Sequence, residues 1–159
     1  MPRKTTKALV REAAPDRLYK STDVSKLINR VMLDGKKQLA ERLVYNGMQK
    51  AADKLKVQNP LEVFEQAMKN VQPALETRSR RVGGANYQIP FEVKGQRQQH
   101  LTVMWFVEAA RARSGMPMED RIAQELVDAY NNTGSAVKKK EDTHRMAEAN
   151  RAFAHFART

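Results

Sequence analysis

Three arginines within four residues, Arg78, Arg80 and Arg81, offer the most specific chemistry in this sequence. A guanidinium stays charged at every relevant pH and grips phosphate with a planar fork. Clustered like charges repel one another unless an anion lies near. A strand edge made soluble by charge would more usually carry Lys. Lys138, Lys139 and Lys140 form a second basic run, Lys36 and Lys37 a third, and Arg3 and Lys4 a fourth near the start of the chain. Lys runs also decorate solvated helices, so the arginines carry more of the argument. Together these residue types point to phosphate binding.

Nothing comparable supports catalysis. The histidines, His100, His144 and His155, form neither an i,i+4 pair nor an HExxH pattern. There are no cysteines, so thiolate zinc sites, cysteine nucleophiles and disulfide frameworks are excluded. No metal and no cofactor is expected, and His144 and His155 read as surface or capping groups. In Glu119-Asp120 and Glu141-Asp142 the acids are adjacent, so on a helix their side chains are expected to diverge. The first pair reads as helix N-terminal charge and the second as a solvated face. Gly83-Gly84 fits neither phosphate-loop pattern and lies between strands rather than before a helix.

Lys and Arg number 29 against 18 acids among 159 residues, a net charge of +11. The length suits one domain. No apolar run approaches the roughly 18 residues that span a bilayer, and Met1-Pro2-Arg3-Lys4 is unlike a secretory leader. The charge is uneven. Residues 1–20 carry net +4, residues 73–97 carry +3 and residues 135–159 carry +3, whereas 98–134 carry −2. Such a distribution predicts separated basic surfaces around a structural middle, and a polyanionic partner.

The elements that must position these groups follow from periodicity. Residues 1–20 show none and read as a basic arm that orders on a polyanion; residues 21–159 read as one helical domain. Asp23 is expected to cap a helix with Val24, Leu27, Ile28, Val31 and Met32 inward, ended by Asp34-Gly35. Lys36-Lys37 open a second, with Leu39, Leu43, Val44, Met48, Ala51, Ala52 and Leu55 on one face and Gly47 marking close contact. Asn59-Pro60-Leu61-Glu62 starts a third, whose stripe is Leu61, Phe64, Met68 and Val71, and Pro73 bars its extension. Period-two alternation on both sides of Gly83-Gly84 predicts a hairpin over about 74–93. A fourth helix over 98–113 is apolar nearly all round and should be central. Pro117 starts the fifth, with Ile122, Leu126, Ala129 and Tyr130 inward. Ser135 is expected to cap the sixth, with Met146, Ala149, Phe153 and Phe156 on its buried stripe. Met32, Met48, Met68 and Met146 read as core packing. The fold class is mainly α: a six-helix bundle-like body with one protruding basic hairpin and a basic N-terminal arm.

These residues also match a known family. Ser79-Arg80-Arg81-Val82-Gly83-Gly84 with Tyr87-Gln88-Ile89-Pro90-Phe91-Glu92-Val93 resembles the signature hairpin of ribosomal protein seven of the small subunit, bacterial type. Val31 to Lys37 resembles its first basic turn. Val107 to Arg111, Ala136 to Asp142, Met146 to Asn150 and Phe153 to His155 resemble its later blocks. The chain departs from the family at Met104, where relatives often carry a basic residue before the tryptophan, and in its last residues. The resemblance implies a primary binder of small-subunit rRNA that nucleates assembly of the head (the 3′ major domain), in the cytoplasm. It implies a place at the subunit interface near exit-site tRNA and the mRNA exit channel, beside ribosomal proteins nine and eleven, away from membranes. Carried over residue by residue, the rRNA-facing candidates are Lys36, Lys37, Arg78, Arg80, Arg81, Lys138, Lys139 and Lys140. Arg3 and Lys4 of the arm join them as basic residues, and Val82-Gly83-Gly84 would lie towards the tRNA. The competing readings are an architectural DNA-binding protein and an RNA-modifying enzyme, the latter opposed by the lack of any nucleophile, base or cofactor motif.

Overall fold

The structure, a computed structural model, describes residues 14–157. Its order is α1 (Thr22–Val31), α2 (Lys37–Leu55), α3 (Pro60–Val71), β1 (Leu75–Val82), β2 (Ala85–Glu92), α4 (Gly95–Ala112), α5 (Met118–Tyr130), α6 (Gly134–Ala149) and a final 3-10 turn (Arg151–Ala157). The mainly α class with one hairpin is thus the observed one. Among the described residues no helix is long and apolar enough to cross a membrane.

α1 is capped two residues earlier than expected. Ser21, not Asp23, is the N-cap: its hydroxyl accepts from the Val24 N–H, while Asp23 sits in the first turn and meets Lys26 at 3.4 Å. Asp16 explains why the chain is already fixed here. Its carboxylate accepts from the N–H groups of Leu18, Tyr19 and Ser21 and from the Tyr45 hydroxyl, at 2.8–3.2 Å. The described part of the expected arm, residues 14–20, is therefore tied to α2, and Tyr19 meets Tyr45 edge-on at 5.8 Å. Arg3 and Lys4 lie outside the described residues.

α2 turns a narrower face inward than its apolar letters suggest. The buried positions are Ala40, Val44, Gly47, Met48, Ala51 and Ala52, whereas Leu39 is 41% exposed. Small residues at the contact let α5 approach closely. A Cβ on Gly47 would lie 2.7 Å from Ile122 Cγ2 and 3.1 Å from the Glu119 carbonyl oxygen. α3 opens at Asn59, whose side chain accepts from the Leu61 N–H at 3.1 Å and donates to Glu62. α4 begins at Gly95, three residues before the expected start, and its buried residues Leu101, Trp105, Phe106, Val107 and Ala110 make it the central helix. Arg111 at its end donates to the carbonyls of Arg30 and Val31, closing the C-terminus of α1.

Two expectations about the later helices fail for tertiary reasons. Glu119 and Asp120 do not diverge: both reach Lys50 Nζ at 2.6 Å, because α2 brings one cation between them. α6 is capped from outside. Thr133 is its N-cap position but its hydroxyl donates to the Asp128 carbonyl instead of capping, while the fully buried Glu125 of α5 accepts from the Ala136 N–H at 3.0 Å. Glu125 is itself held by Arg113, which also reaches Asp128. Burial works against the Arg113 charge, but hydrogen bonds to Glu125 and Asp128 outweigh it and raise its pKa. Ser135 is exposed. The buried face of α6 is Ala136, Val137 and Ala147, while Met146 is 49% exposed and Ala149 is also outside. Phe153 and Phe156 belong to the 3-10 turn and pack elsewhere.

Candidate nucleic-acid interface

The hairpin is an antiparallel pair in the register Leu75↔Glu92 to Val82↔Ala85, closed by the two-residue turn Gly83-Gly84. Both glycines have positive φ, +58° and +92°, the primed geometry that follows the twist of the strands. Directly paired residues share a face. Arg78 and Arg80 therefore stand with Glu76, Tyr87, Ile89 and Phe91 on one side, while Ser79 and Arg81 stand with Asn86 and Gln88 on the other.

The three arginines are thus divided by the pleat. Arg78 is held at the root: it pairs with the buried Glu76, and its guanidinium lies over the Phe91 ring at 5.3 Å. Arg97 of α4 donates twice to the other Glu76 oxygen, at 3.1 and 2.9 Å. Burial raises the Glu76 pKa, but hydrogen bonds from Arg97 and Arg78 outweigh it, and the net shift is downward. Arg80 donates to the Phe156 carbonyl at 3.0 Å. Arg81 is exposed and, among the described residues, has no ion-pair or hydrogen-bond partner. Its whole fork is left for an external anion near the tip, and Arg80, exposed and bonded to a neutral carbonyl, keeps its charge as well. Gly83 and Gly84 are exposed beside it, and no atom comes within 4 Å of a Cβ built on either.

The root is fixed by more than Glu76. Ile89 and Val93 are buried, and the Val93 N–H donates to the Ala74 carbonyl. His144 of α6 accepts the Ala74 N–H on Nε2 at 3.0 Å. That bond requires an unprotonated Nε2. Burial first, and then the Lys140 charge, lower the His144 pKa accordingly. The expected capping role of His144 is thus met at the start of a strand. His155 Nδ1 lies 2.9 Å from the Ala152 carbonyl oxygen in the 3-10 turn.

The lysines likewise separate. Lys138 and Lys139 are exposed on the first turns of α6, but Lys140 turns inward and donates to the Asn70 carbonyl at the end of α3, at 2.5 Å. The Glu125 carboxylate at the N-terminus of α6 offsets the unfavourable placing of these cations near the positive end of the helix dipole. Lys36 and Lys37 are exposed at the α1–α2 corner, between the exposed Leu33 and Leu39. α6 packs against both hairpin strands, with His144 at Ala74 and Met146 at Thr77, while among the described residues α2 touches neither strand nor α6. The basic candidates are therefore spread over the hairpin, the first turns of α6 and the α1–α2 corner. Among the described residues no cluster of His, Asp or Glu suits a metal ion.

A family model described as Ribosomal protein S7p/S5e matches residues 2–151. The chain belongs to this family. Proteins named Small ribosomal subunit protein uS7 resemble it over nearly their whole length. The one from Thermotoga petrophila is 57% identical over 150 residues, covering 94% of this chain and 96% of its own. Those from Moorella thermoacetica and Chloroflexus aggregans are 58% identical over 146 residues and 56% over 148, with coverages of 92–94%. The S7 family match spans every basic candidate, the hairpin and α6.

What the sequence reading missed are the groups that aim these cations. Arg97, Glu125 and Arg113 act across elements, and spacing along the chain carries no sign of them. Glu76 had a local signal: it lies two residues from Arg78 on an alternating strand, hence on the same face. The aromatic contacts of Tyr87 had none, because its partners lie more than 60 residues away.

Proposed function

We propose that this protein is a structural component of the small ribosomal subunit that acts by binding rRNA, without catalysis. The observation that carries the reading is the 57% identity to a small-subunit uS7 protein across 94% of the chain. The separated basic groups support it. Lys and Arg neutralise rRNA phosphates and release condensed counterions. A-form RNA hides its base edges in a deep major groove, so a protein reads the shape of junctions and loops. A rigid helical body with separated cationic points suits that task. In this reading Arg81, Lys36, Lys37, Lys138 and Lys139 contact phosphate directly, Arg78, Arg80 and Lys140 do so after leaving or sharing their present partners, and Arg3 and Lys4 add contacts from the arm.

The finer reading is a primary binder that nucleates assembly of the head, with the Val82-Gly83-Gly84 tip towards exit-site tRNA and mRNA, and ribosomal proteins nine and eleven as neighbours. The acidic 98–134 stretch, which supplies the central α4 and α5, stays off RNA. The test is co-sedimentation with small subunits through a high-salt wash, together with competition between an rRNA head fragment and duplex DNA at moderate salt. Retention and preference for the rRNA are expected. Loss in the wash, or equal affinity for DNA, overturns the reading.

A further inference from the structure

Among the described residues the hairpin strands pack against α6 and the 3-10 turn, and Arg97 of α4 reaches them only at Glu76 in the root. The buried anchors Glu76, Ile89 and Val93 all lie in the half of the hairpin nearer the body. Beyond them a two-stranded ribbon is marginal by itself and free to bend. The contacts there come from the last turn. α6 stops at Ala149, and Phe153 N–H bonds back to the Asn150 carbonyl, winding Arg151–Ala157 into a 3-10 helix. With three residues per turn, side chains at i and i+3 eclipse, so Phe153 and Phe156 stack on one face with planes 17° apart. Both meet Tyr87 of β2, at 5.0 and 5.6 Å. On β1, the residue paired with Tyr87 is Arg80, which donates to the Phe156 carbonyl. The same turn thus holds both strands at one level of the ribbon, one step from Arg81.

We infer that Tyr87, Phe153, Phe156 and the Arg80–Phe156 bond form a clasp that fixes the angle of the outer hairpin before any RNA arrives, making Phe153 and Phe156 positioning residues for Arg81. The clasp itself is a property of the free protein; its effect on RNA affinity rests on the rRNA-binding reading. Among the described residues every buried one lies between Asp16 and Ala147, so these rings are not part of the buried core.

The test uses the full chain with Phe153→Ala and Phe156→Ala together. In the RNA-free protein, trypsin cleavage after Arg80 and Arg81 tracks local opening of the ribbon. Each aromatic contact shifts such an opening severalfold, so cleavage is expected to accelerate about tenfold. The urea midpoint of the body should stay near wild type, and Tyr87→Phe, which keeps the ring, should cleave like wild type. Affinity for the rRNA head fragment should fall about three- to tenfold at unchanged salt slope, because the lost aromatic contacts weigh severalfold while no phosphate contact is removed. Unchanged cleavage overturns the clasp, and unchanged cleavage with lost affinity means that the rings touch RNA themselves. Faster cleavage with unchanged affinity overturns their positioning role. If wild type fails to bind the fragment, the rRNA reading falls while the cleavage result still judges the clasp.

Discussion

At the scale of residues, charge counts for less than where the charge is already spent. Arg78 and Arg81 are three positions apart in the chain but differ in kind. Arg78 balances a buried carboxylate and covers an aromatic ring, whereas Arg81 faces solvent from the opposite side of the ribbon. Their alanine variants should therefore separate. Arg81→Ala is expected to lower the slope of log affinity against log salt by about 0.7–0.9, the loss of one phosphate contact, with thermal stability unchanged. Arg78→Ala should instead loosen the hairpin root, seen as faster amide exchange at Glu76 and Ile89, since Glu76 keeps only Arg97. Equal amide exchange at Glu76 and Ile89 in the two variants would remove the distinction.

At the scale of elements, helices here are closed by one another as well as by their own caps. Asn59 caps α3 as its place in the sequence suggests, whereas Ser21 caps α1 in place of the expected Asp23. α6 depends on Glu125 of α5, and α1 on Arg111 of α4. The α2–α5 contact is the tightest test of this packing. Gly47→Ala gains up to about 1 kcal/mol of helix propensity, but its Cβ must enter space held by Ile122 and the Glu119 carbonyl. Backbone cannot yield as a flexible side chain does, and overpacking of this kind costs about 1–3 kcal/mol. A net loss of about 1–2 kcal/mol is expected, read as a lower urea midpoint at unchanged slope. An unchanged or higher midpoint would show that α5 shifts freely.

At the scale of the whole molecule, a positively charged body is held together at places where acids are buried on purpose. In Asp16 burial raises the pKa, but hydrogen bonds from Tyr19, Ser21, Tyr45 and Leu18 outweigh it and lower it; Glu76 behaves likewise with Arg97 and Arg78. His144 is also lowered, by burial and then by Lys140. Where a folded pKa is lowered, the unfolded chain binds more protons across the gap, so stability rises with pH there. The His144 contribution is complete above about pH 6.5 and fades as pH falls below it; those of Asp16 and Glu76 are complete above about pH 4–4.5 and fade below. The urea midpoint should thus be level between about pH 7 and 9, decline gently towards pH 5, and drop steeply below about pH 4. A level midpoint between pH 7 and 5 would count against the neutral His144 cap.

The fold class, the hairpin with its Gly83-Gly84 turn, the start of α3 and the basic character of the surfaces were all legible in the sequence. Each depends on neighbours within a few residues: period, turn chemistry or capping. The family resemblance was legible too, because its motifs are contiguous blocks. The tertiary structure alone decided which cations remain free. Lys140 follows two lysines that look identical to it, yet the end of α3 takes it inward. Phe153 and Phe156 continue the apolar spacing of α6, yet the helix stops before them and they clasp a strand. Both outcomes depend on groups some 60–70 residues distant in the chain, and spacing along a chain holds no information about partners that only folding brings near.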